Sequence, residues 1–325
     1  MPPSHFAVYT ANSDVDGYFA HSLAEKLASE YNAKSESDKG AGSTELITVS
    51  FESFLEVDFV RKMKELEREH GGSFLLHRGT HVLLRDGKYL GTVDALKALA
   101  VKEFKMPDLE HFGNPIVLNR RSREDYQQCV LAAGRPIVFL DFADGAKKNR
   151  NAEASSSSAV PVPVYGRIVI ELFTDRCPMA CENFLKLCTG ELGATEEAKL
   201  HYVGCPVHRV VPGGWIQCGD IVGGTGKNSL AAIGENGRLA DENFTFDFSN
   251  PLGGMVGWST SEPHSIGSQF FITLGKCGWM NGEFEGFGRV IQGYTVLKTI
   301  ETCAANNQRP ARPIIIGDAG KIEFK

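Results

Sequence analysis

From Phe6 to about Phe104 the apolar positions switch between two periods. Phe6 to Thr10 (FAVYT) is a short apolar run that reads as a strand, and Leu23, Leu27 and Tyr31 recur at helical spacing over His21 to Tyr31. A polar stretch from Ala33 to Ser43 reads as a loop, and the β-branched run Leu46 to Phe51 as a second strand. Phe59 to His70 is a charged amphipathic helix, whose Arg61, Lys62 and Lys64 against Glu65, Glu67 and Glu69 mark a solvated face. Ser73 to Leu76 and Val82 to Arg85 are expected as paired strands, with Asp86-Gly87 as a hairpin turn, and Val93 to Phe104 as a closing helix. The order βαβαββα predicts a small α/β domain.

From Pro136 onward the texture changes to glycines, short β runs and turn dipeptides, with helices expected at Pro178 to Thr189 and Thr295 to Cys303. This predicts an all-β barrel or sandwich with helical plugs. The Ser/Pro-rich stretch Ala152 to Pro163 has a linker's composition, yet good strands flank it at Ile137 to Phe142 and Gly166 to Phe173. We read it as an insertion in a hairpin loop, at about 144–164, because long surface loops add little closure entropy. The expected organisation is an α/β domain at 1–105, a connector at 106–134 and a β domain at 135–325.

Length and composition fit this division: 325 residues exceed what one core usually serves. A net charge of −6 argues against nucleic acid as a partner, since phosphate binding needs a basic face. No run of about 18 apolar residues offers a transmembrane helix. The start, MPPSHFAVYT, lacks the features of a secretory signal. With eight cysteines, all from Cys129 onward, we expect reduced thiols in a cytoplasmic setting. Cys177, Cys181, Cys205 and His208 match no structural zinc spacing and read as buried thiols beside a neighbour of Arg209. Gly223 to Ser229 (GGTGKNS) fails the phosphate-loop pattern, because Asn228 follows Lys227 and Ile221 stands where the first glycine belongs.

Several strings in the second half resemble the cyclophilin family of peptidyl-prolyl cis-trans isomerases. They are Gly166 to Phe173 (GRIVIELF), Cys181 to Glu191 (CENFLKLCTGE), His208 to Gly213 (HRVVPG), Gln217 to Asp220 (QCGD), Asp241 to Phe244 (DENF), Gly267 to Ile272 (GSQFFI) and Phe287 to Val290 (FGRV). They keep family order and spacing over roughly 190 residues. Gly214 to Gln217 (GWIQ) and Asn307 to Pro310 (NQRP) are similar to the divergent two-domain subgroup called isomerase-like six.

The resemblance implies an eight-stranded antiparallel barrel capped by two helices, within an α+β multidomain chain. It implies isomerisation of X-Pro peptide bonds in proteins, with no cofactor and no metal. The barrier to that rotation is about 18–20 kcal/mol, because amide resonance must be broken. By resemblance Arg209 favours the twisted amide, and Gln217 binds the substrate backbone. Phe271 and Met280 wall the proline pocket with Gln269 beside them, and Trp279 lines the site for the cyclic peptide cyclosporin. Three departures stand out. Gly214-Trp215 replaces an aromatic-methionine pair, so Trp215 has to refill the pocket. Ser259-Thr260-Ser261 replaces an Ala-Asn-Ala strand whose contacts with peptide are main-chain. Phe284 replaces the pocket histidine and cannot donate a hydrogen bond. These predict weak or specialised activity and weakened cyclosporin binding. The alternative is an inactive scaffold that grips a Pro-containing peptide within a larger assembly, cytoskeletal or ciliary.

The N-terminal domain, and above all Asp86 to Gly91 (DGKYLG), resembles a glutaredoxin or thioredoxin-like fold. Asn12 to Asp16 occupies the place of that family's redox cysteines, and His81 the place of its proline. Without a thiolate no mixed disulfide forms, so residues 1–105 are expected to be a redox-inert surface for an assembly partner.

Overall fold

The computed structural model describes residues 4–37, 46–106, 113–145, 164–260 and 262–324. The chain divides into two compact units, Met1–Ala133 and Gly134–Lys325.

The first unit runs β1 (His5–Ala11), α1 (Val15–Ser37), β2 (Thr48–Phe54), α2 (Glu56–His70), β3 (His81–Arg85), β4 (Lys88–Gly91), α3 (Val93–Phe104) and α4 (Pro115–Ala132). Its sheet has the order β2-β1-β3-β4, with β1 and β2 parallel and the other pairs antiparallel. Successive strand residues face opposite ways. Phe6, Val8 and Leu83 therefore pack with Leu23, Leu27 and Leu96 of α1 and α3, while Ala7, Val82 and Leu84 pack with Phe59, Met63 and Leu66 of α2. The result is a sheet covered by helices on both faces.

Two sequence expectations change here. Ser73 to Leu76 is not a strand; Gly72–Leu76 forms a 3₁₀ turn. Gly71 and Gly72 both take positive φ and swing the chain round. Phe74 is then buried, while Leu76 is 81% exposed. The hairpin partner of β3 is β4, joined to it by Asp86-Gly87.

The segment 106–134 is no bare connector, since α4 belongs to the first unit. Asn114 caps it by accepting from the Ile116 N–H at 2.9 Å, with Pro115 in its first turn. Asp125 Oδ2 accepts from the Tyr18 hydroxyl at 3.0 Å and the Ser53 hydroxyl at 3.1 Å, and Ser122 donates to the Asn12 carbonyl. Leu118 and Val130 are buried.

The second unit begins with β5 (Ile137–Asp144) and β6 (Val164–Leu172), which pair antiparallel from Ile137↔Glu171 to Ala143↔Val164. The Ser/Pro-rich stretch between them lies outside the described residues. There follow α5 (Pro178–Thr189), β7 (Arg209–Val211), β8 (Trp215–Cys218), β9 (Met255–Trp258), β10 (Phe270–Thr273), β11 (Gly286–Gln292) and α6 (Tyr294–Glu301). A two-residue hairpin, β12 (Ala305–Asn306) with β13 (Arg309–Pro310), precedes β14 (Ile314–Ile322).

Eight strands form one antiparallel sheet in the order β14-β5-β6-β11-β9-β10-β8-β7. A bridge between Pro206 and Ile315 joins its two ends, with the Val207 N–H on the Ile314 carbonyl at 2.8 Å. Alternation along each strand sends Val138, Leu140, Ile168, Ile170, Val256 and Ile272 into a single core. Phe184 of α5 meets the rings of Tyr202, Trp258, Phe270 and Phe287 there. Cys177, Cys181, Cys188, Cys205 and Cys218 are buried and unpaired. Among the described residues, no three His, Cys, Asp or Glu side chains are placed to hold a metal ion.

Candidate functional site

Strands β7, β8 and β10 lie side by side and set the register of the site. Arg209 stands opposite Gln217, and Gln217 opposite Phe271. The Arg209 side chain is exposed, with its guanidinium 5.1 Å from the centroid of the Trp215 ring. Its Nε donates to Gln308 Oε1 at 2.7 Å. Gln308 sits at the turn of the β12–β13 hairpin, where Asn307 and Gln308 both take left-handed conformations. Its carbonyl also accepts the Val210 N–H at 2.6 Å. The tail hairpin thus fixes one edge of the guanidinium, and both Nη groups are without a hydrogen-bond partner among the described residues. Asn307 to Pro310 was visible in the sequence only as a subgroup trait. Its contact with Arg209 joins residues 99 positions apart, and no local pattern could show that.

Gln217 continues the polar side. Its Nε2 donates to Ser259 Oγ at 2.8 Å and to Gln269 Oε1 at 2.9 Å. Gln269 is buried, and its own Nε2 donates to the carbonyls of Gly226 at 3.0 Å and Asn228 at 2.9 Å. Those carbonyls belong to a loop organised by Asp220. One buried carboxylate accepts backbone N–H groups from Val222, Gly223, Thr225, Gly226 and Asn228 at 2.8–3.4 Å. Burial alone raises a carboxyl pKa, yet these donors overrule it and hold Asp220 at about 2. The loop closes tightly over His208: a Cβ on Gly226, which has φ +86°, would meet the imidazole Cδ2 at 2.5 Å. Burial pushes the pKa of His208 down.

The apolar side is a chain of edge-on rings. Trp215 meets Trp279 at 6.0 Å, Trp279 meets Phe284 at 5.9 Å, and Phe284 meets Phe271 at 5.6 Å. Trp279 is 60% exposed and forms the rim. Phe271 and Met280 are buried and form the floor, and Gly257 leaves the space that the Phe271 ring fills. Phe284 is half-buried between them. Gly214 lies in the β7–β8 turn, its N–H on the Val211 carbonyl at 2.9 Å.

The fold therefore brings together Arg209, Trp215, Gln217, Ser259, Gln269, Phe271, Trp279, Met280 and Phe284. Thr260 lines a neighbouring cleft that shares Phe284 with this group. Ser261 lies outside the described residues. Sequence reasoning missed Gln308, Asp220 and this neighbouring cleft.

In the first unit, the Asp14 carboxylate at the start of α1 accepts from the Thr80 hydroxyl at 2.6 Å and lies 2.7 Å from His81 Nδ1, while His81 Nε2 accepts the Val93 N–H at 3.0 Å. Burial would raise the Asp14 pKa, but these hydrogen bonds lower it overall. The segment Asn12 to Asp16 has no sulfur of its own, yet α4 brings one: Asn12 Nδ2 donates to Cys129 Sγ at 3.4 Å. Burial pushes the pKa of that thiol up, and Asp125 and Asp58 add to it. It is the opposite of an activated thiolate.

A closed antiparallel sheet carrying a guanidinium, an amide relay and an aromatic floor on one face places the second unit in the class of small closed β-barrels with a surface site. The match to the family model of cyclophilin type peptidyl-prolyl cis-trans isomerase/CLD covers residues 159–321. The chain belongs to that family. A probable inactive peptidyl-prolyl cis-trans isomerase-like 6 of Homo sapiens is 32% identical over 260 residues, covering 79% of this chain and 76% of that protein. Such a span exceeds the second unit and reaches into the first. The protein of the same name in Bos taurus is 39% identical over 158 residues, 48% of this chain and 50% of its own length. Peptidyl-prolyl cis-trans isomerase CYP21-1 of Arabidopsis thaliana is 45% identical over 208 residues, 60% of this chain and 91% of that protein.

Proposed function

We propose that the second unit catalyses cis-trans isomerisation of X-Pro bonds in protein segments, with Arg209 as the electrostatic group and Gln217 as the backbone anchor. The observation that carries this reading is the pairing of Arg209 with Gln217 on adjacent strands, with Gln308 holding the guanidinium by its Nε. A proline ring resting on Phe271 and Met280 has its nitrogen within reach of the Nη donors. A cation directed there favours the pyramidal nitrogen, in which amide resonance is lost. Gln217, whose two Nε2 protons are held by Gln269 and Ser259, presents Oε1 to accept a peptide backbone N–H without reorganising. By the resemblance, the stretch beginning Ser259-Thr260 offers main-chain groups for pairing with a peptide. Phe284 narrows the floor and offers no donor, which supports slow or selective turnover.

The test is two-dimensional exchange spectroscopy on a short X-Pro peptide with the whole protein. Arg209→Ala should slow catalysed exchange by about 10²–10³-fold, and Gln308→Ala by less. If wild type and Arg209→Ala both match the uncatalysed rate, the enzymatic reading fails.

That outcome would favour the second reading, a non-catalytic scaffold holding a Pro-containing peptide. Phe284 packed between Phe271 and Trp279 supports it, as do the words "probable inactive" in the names of the human and bovine relatives. For the first unit we propose a thioredoxin-like module that serves an assembly partner through its surface. The sheet order and the unactivated Cys129 thiol support this reading. A cytoplasmic location, cytoskeletal or ciliary, is part of the same proposal.

A further inference from the structure

Beside the aromatic floor lies a second cleft of about 260 Å³, bordered by Thr260 and Phe284. Its outer wall carries Asp241, Glu262 and Glu283, and its inner wall Glu285 and Trp258. The inner pair are buried, Glu285 at 3% exposure and Trp258 at 1%. Glu285 Oε2 accepts the backbone N–H of Glu242 at 2.7 Å and of Asn243 at 3.5 Å. Glu285 Oε1 and Trp258 Nε1 have no hydrogen-bond partner among the described residues. A buried acceptor and a buried donor left unpaired on one cleft are a costly arrangement in a folded protein, and they mark where a ligand's polar groups go.

Three features narrow the ligand. Four carboxylates and no base line the cleft; His264 lies beside Asp241, whose Oδ2 accepts the His264 backbone N–H at 2.7 Å. The ligand is therefore cationic. The volume lies below the roughly 300–1,000 Å³ typical of pockets for whole small molecules, so it suits a side chain. Phe284 and Thr260 are shared with the peptide surface, so that side chain can arrive on the same peptide.

We propose that the cleft takes a lysine or arginine side chain of the bound peptide, its charged head donating to Glu285 Oε1. The indole N–H of Trp258 then donates to a carbonyl or water carried in with it. This inference rests on the peptide-binding reading of the neighbouring site. It also gives a pH signature. Burial first, then the like charges of Glu242 and Asp241, raises the Glu285 pKa, while the two backbone N–H groups pull it back, leaving it at about 7. A cation needs the ionised carboxylate, so its binding expels a proton. Affinity for the basic peptide should fall below pH 7 toward that of the same peptide with an apolar side chain at that position.

The experiment titrates the full-length protein by calorimetry with Pro-containing peptides. Lysine is placed in turn at each of several positions around the proline, with norleucine at the same position as control. In one register lysine should bind about tenfold more tightly than norleucine. Glu285→Gln should abolish that preference and leave norleucine-peptide affinity unchanged. Equal affinity of the pair in every register, with the norleucine peptides binding, overturns the inference and spares the peptide-binding reading. If no Pro-containing peptide binds, that reading fails instead, and Nα-acetyl-lysine methylamide then probes the cleft alone. The chain has three tryptophans, so the Trp258 indole resonance can be assigned with Trp215→Phe and Trp279→Phe. A shift with the lysine probe and none with its norleucine analogue supports the inference; no shift overturns it.

Discussion

Asp220→Asn should loosen the polar side of the site without touching any group that meets substrate. The carboxylate gathers five backbone N–H donors from the loop whose carbonyls orient Gln269, and through it Gln217. A fall from the ordinary carboxylate value of 3.8 to about 2 corresponds to about 2 kcal/mol of stability at neutral pH, at 1.36 kcal/mol per unit. An asparagine retains one oxygen, so whichever way its amide turns, at least two N–H donors face an NH₂ group. Each buried donor left unmet adds about 1–3 kcal/mol. These donors are the ones that depress the pKa, so the two figures overlap, and we expect Asp220→Asn to destabilise the second unit by at least about 2 kcal/mol at pH 7. The folded pKa is depressed, so the stabilisation is fully present above about pH 4 and disappears as pH falls through about 2. The difference between wild type and variant should shrink by about 2 kcal/mol over that window. All three tryptophans (Trp215, Trp258 and Trp279) lie in the second unit, so urea unfolding followed by tryptophan fluorescence reports that unit alone. A difference below about 0.5 kcal/mol at pH 7, or one that persists unchanged at pH 2, would refute the reasoning.

Glu171, buried between Arg289 at 2.6 Å and Arg135 at 3.3 Å, ties β6 to β11. Glu171→Gln should cost about 1–3 kcal/mol in the same urea assay, because it replaces charge-assisted hydrogen bonds from the two guanidinium groups with neutral ones. Two truncations separate the expected domain boundary from the observed one. A chain starting at Arg135 should stay soluble, whereas one starting at Met106 strands Leu118 and Val130 of α4 and should bind a hydrophobic dye strongly. Cyclosporin should bind the intact protein more weakly than it binds a family member with the histidine that Phe284 replaces. Trp279→Ala should abolish the heat of binding, since the exposed indole supplies both apolar area and an N–H donor.

Much of the second unit was legible because its signals are local. The strands Ile137 to Phe142 and Gly166 to Phe173, the helix at Pro178 to Thr189 and the loop around HRVVPG each carry their pattern within ten residues. What was missed depends on distance or on context. The Asn114-Pro115 cap was present in the sequence, but the charged run Arg120, Arg121 and Arg123 masked the narrow apolar stripe of Leu118 and Val130. Ser73 to Leu76 has strand composition, and only the positive φ of the two preceding glycines turns it into a 3₁₀ segment. Gln308 on Arg209, and Glu285 beside Trp258, are meetings of residues far apart in the chain. They become visible only when the sheet sets strand neighbours.

The pairing of β5 with β14 also sets a timetable for synthesis. Asp144 finds its partner in Ile314, roughly 170 residues later. At about 5–20 residues per second, translation leaves β5 without that neighbour for about ten to thirty seconds. The first unit has all its strands by then and can fold on the ribosome. The β5–β6 hairpin meanwhile presents an unpaired edge, the kind of surface that aggregates unless it is shielded. Nascent-chain chaperones should therefore engage this protein after Leu172 has emerged and release it only once Ile322 is out.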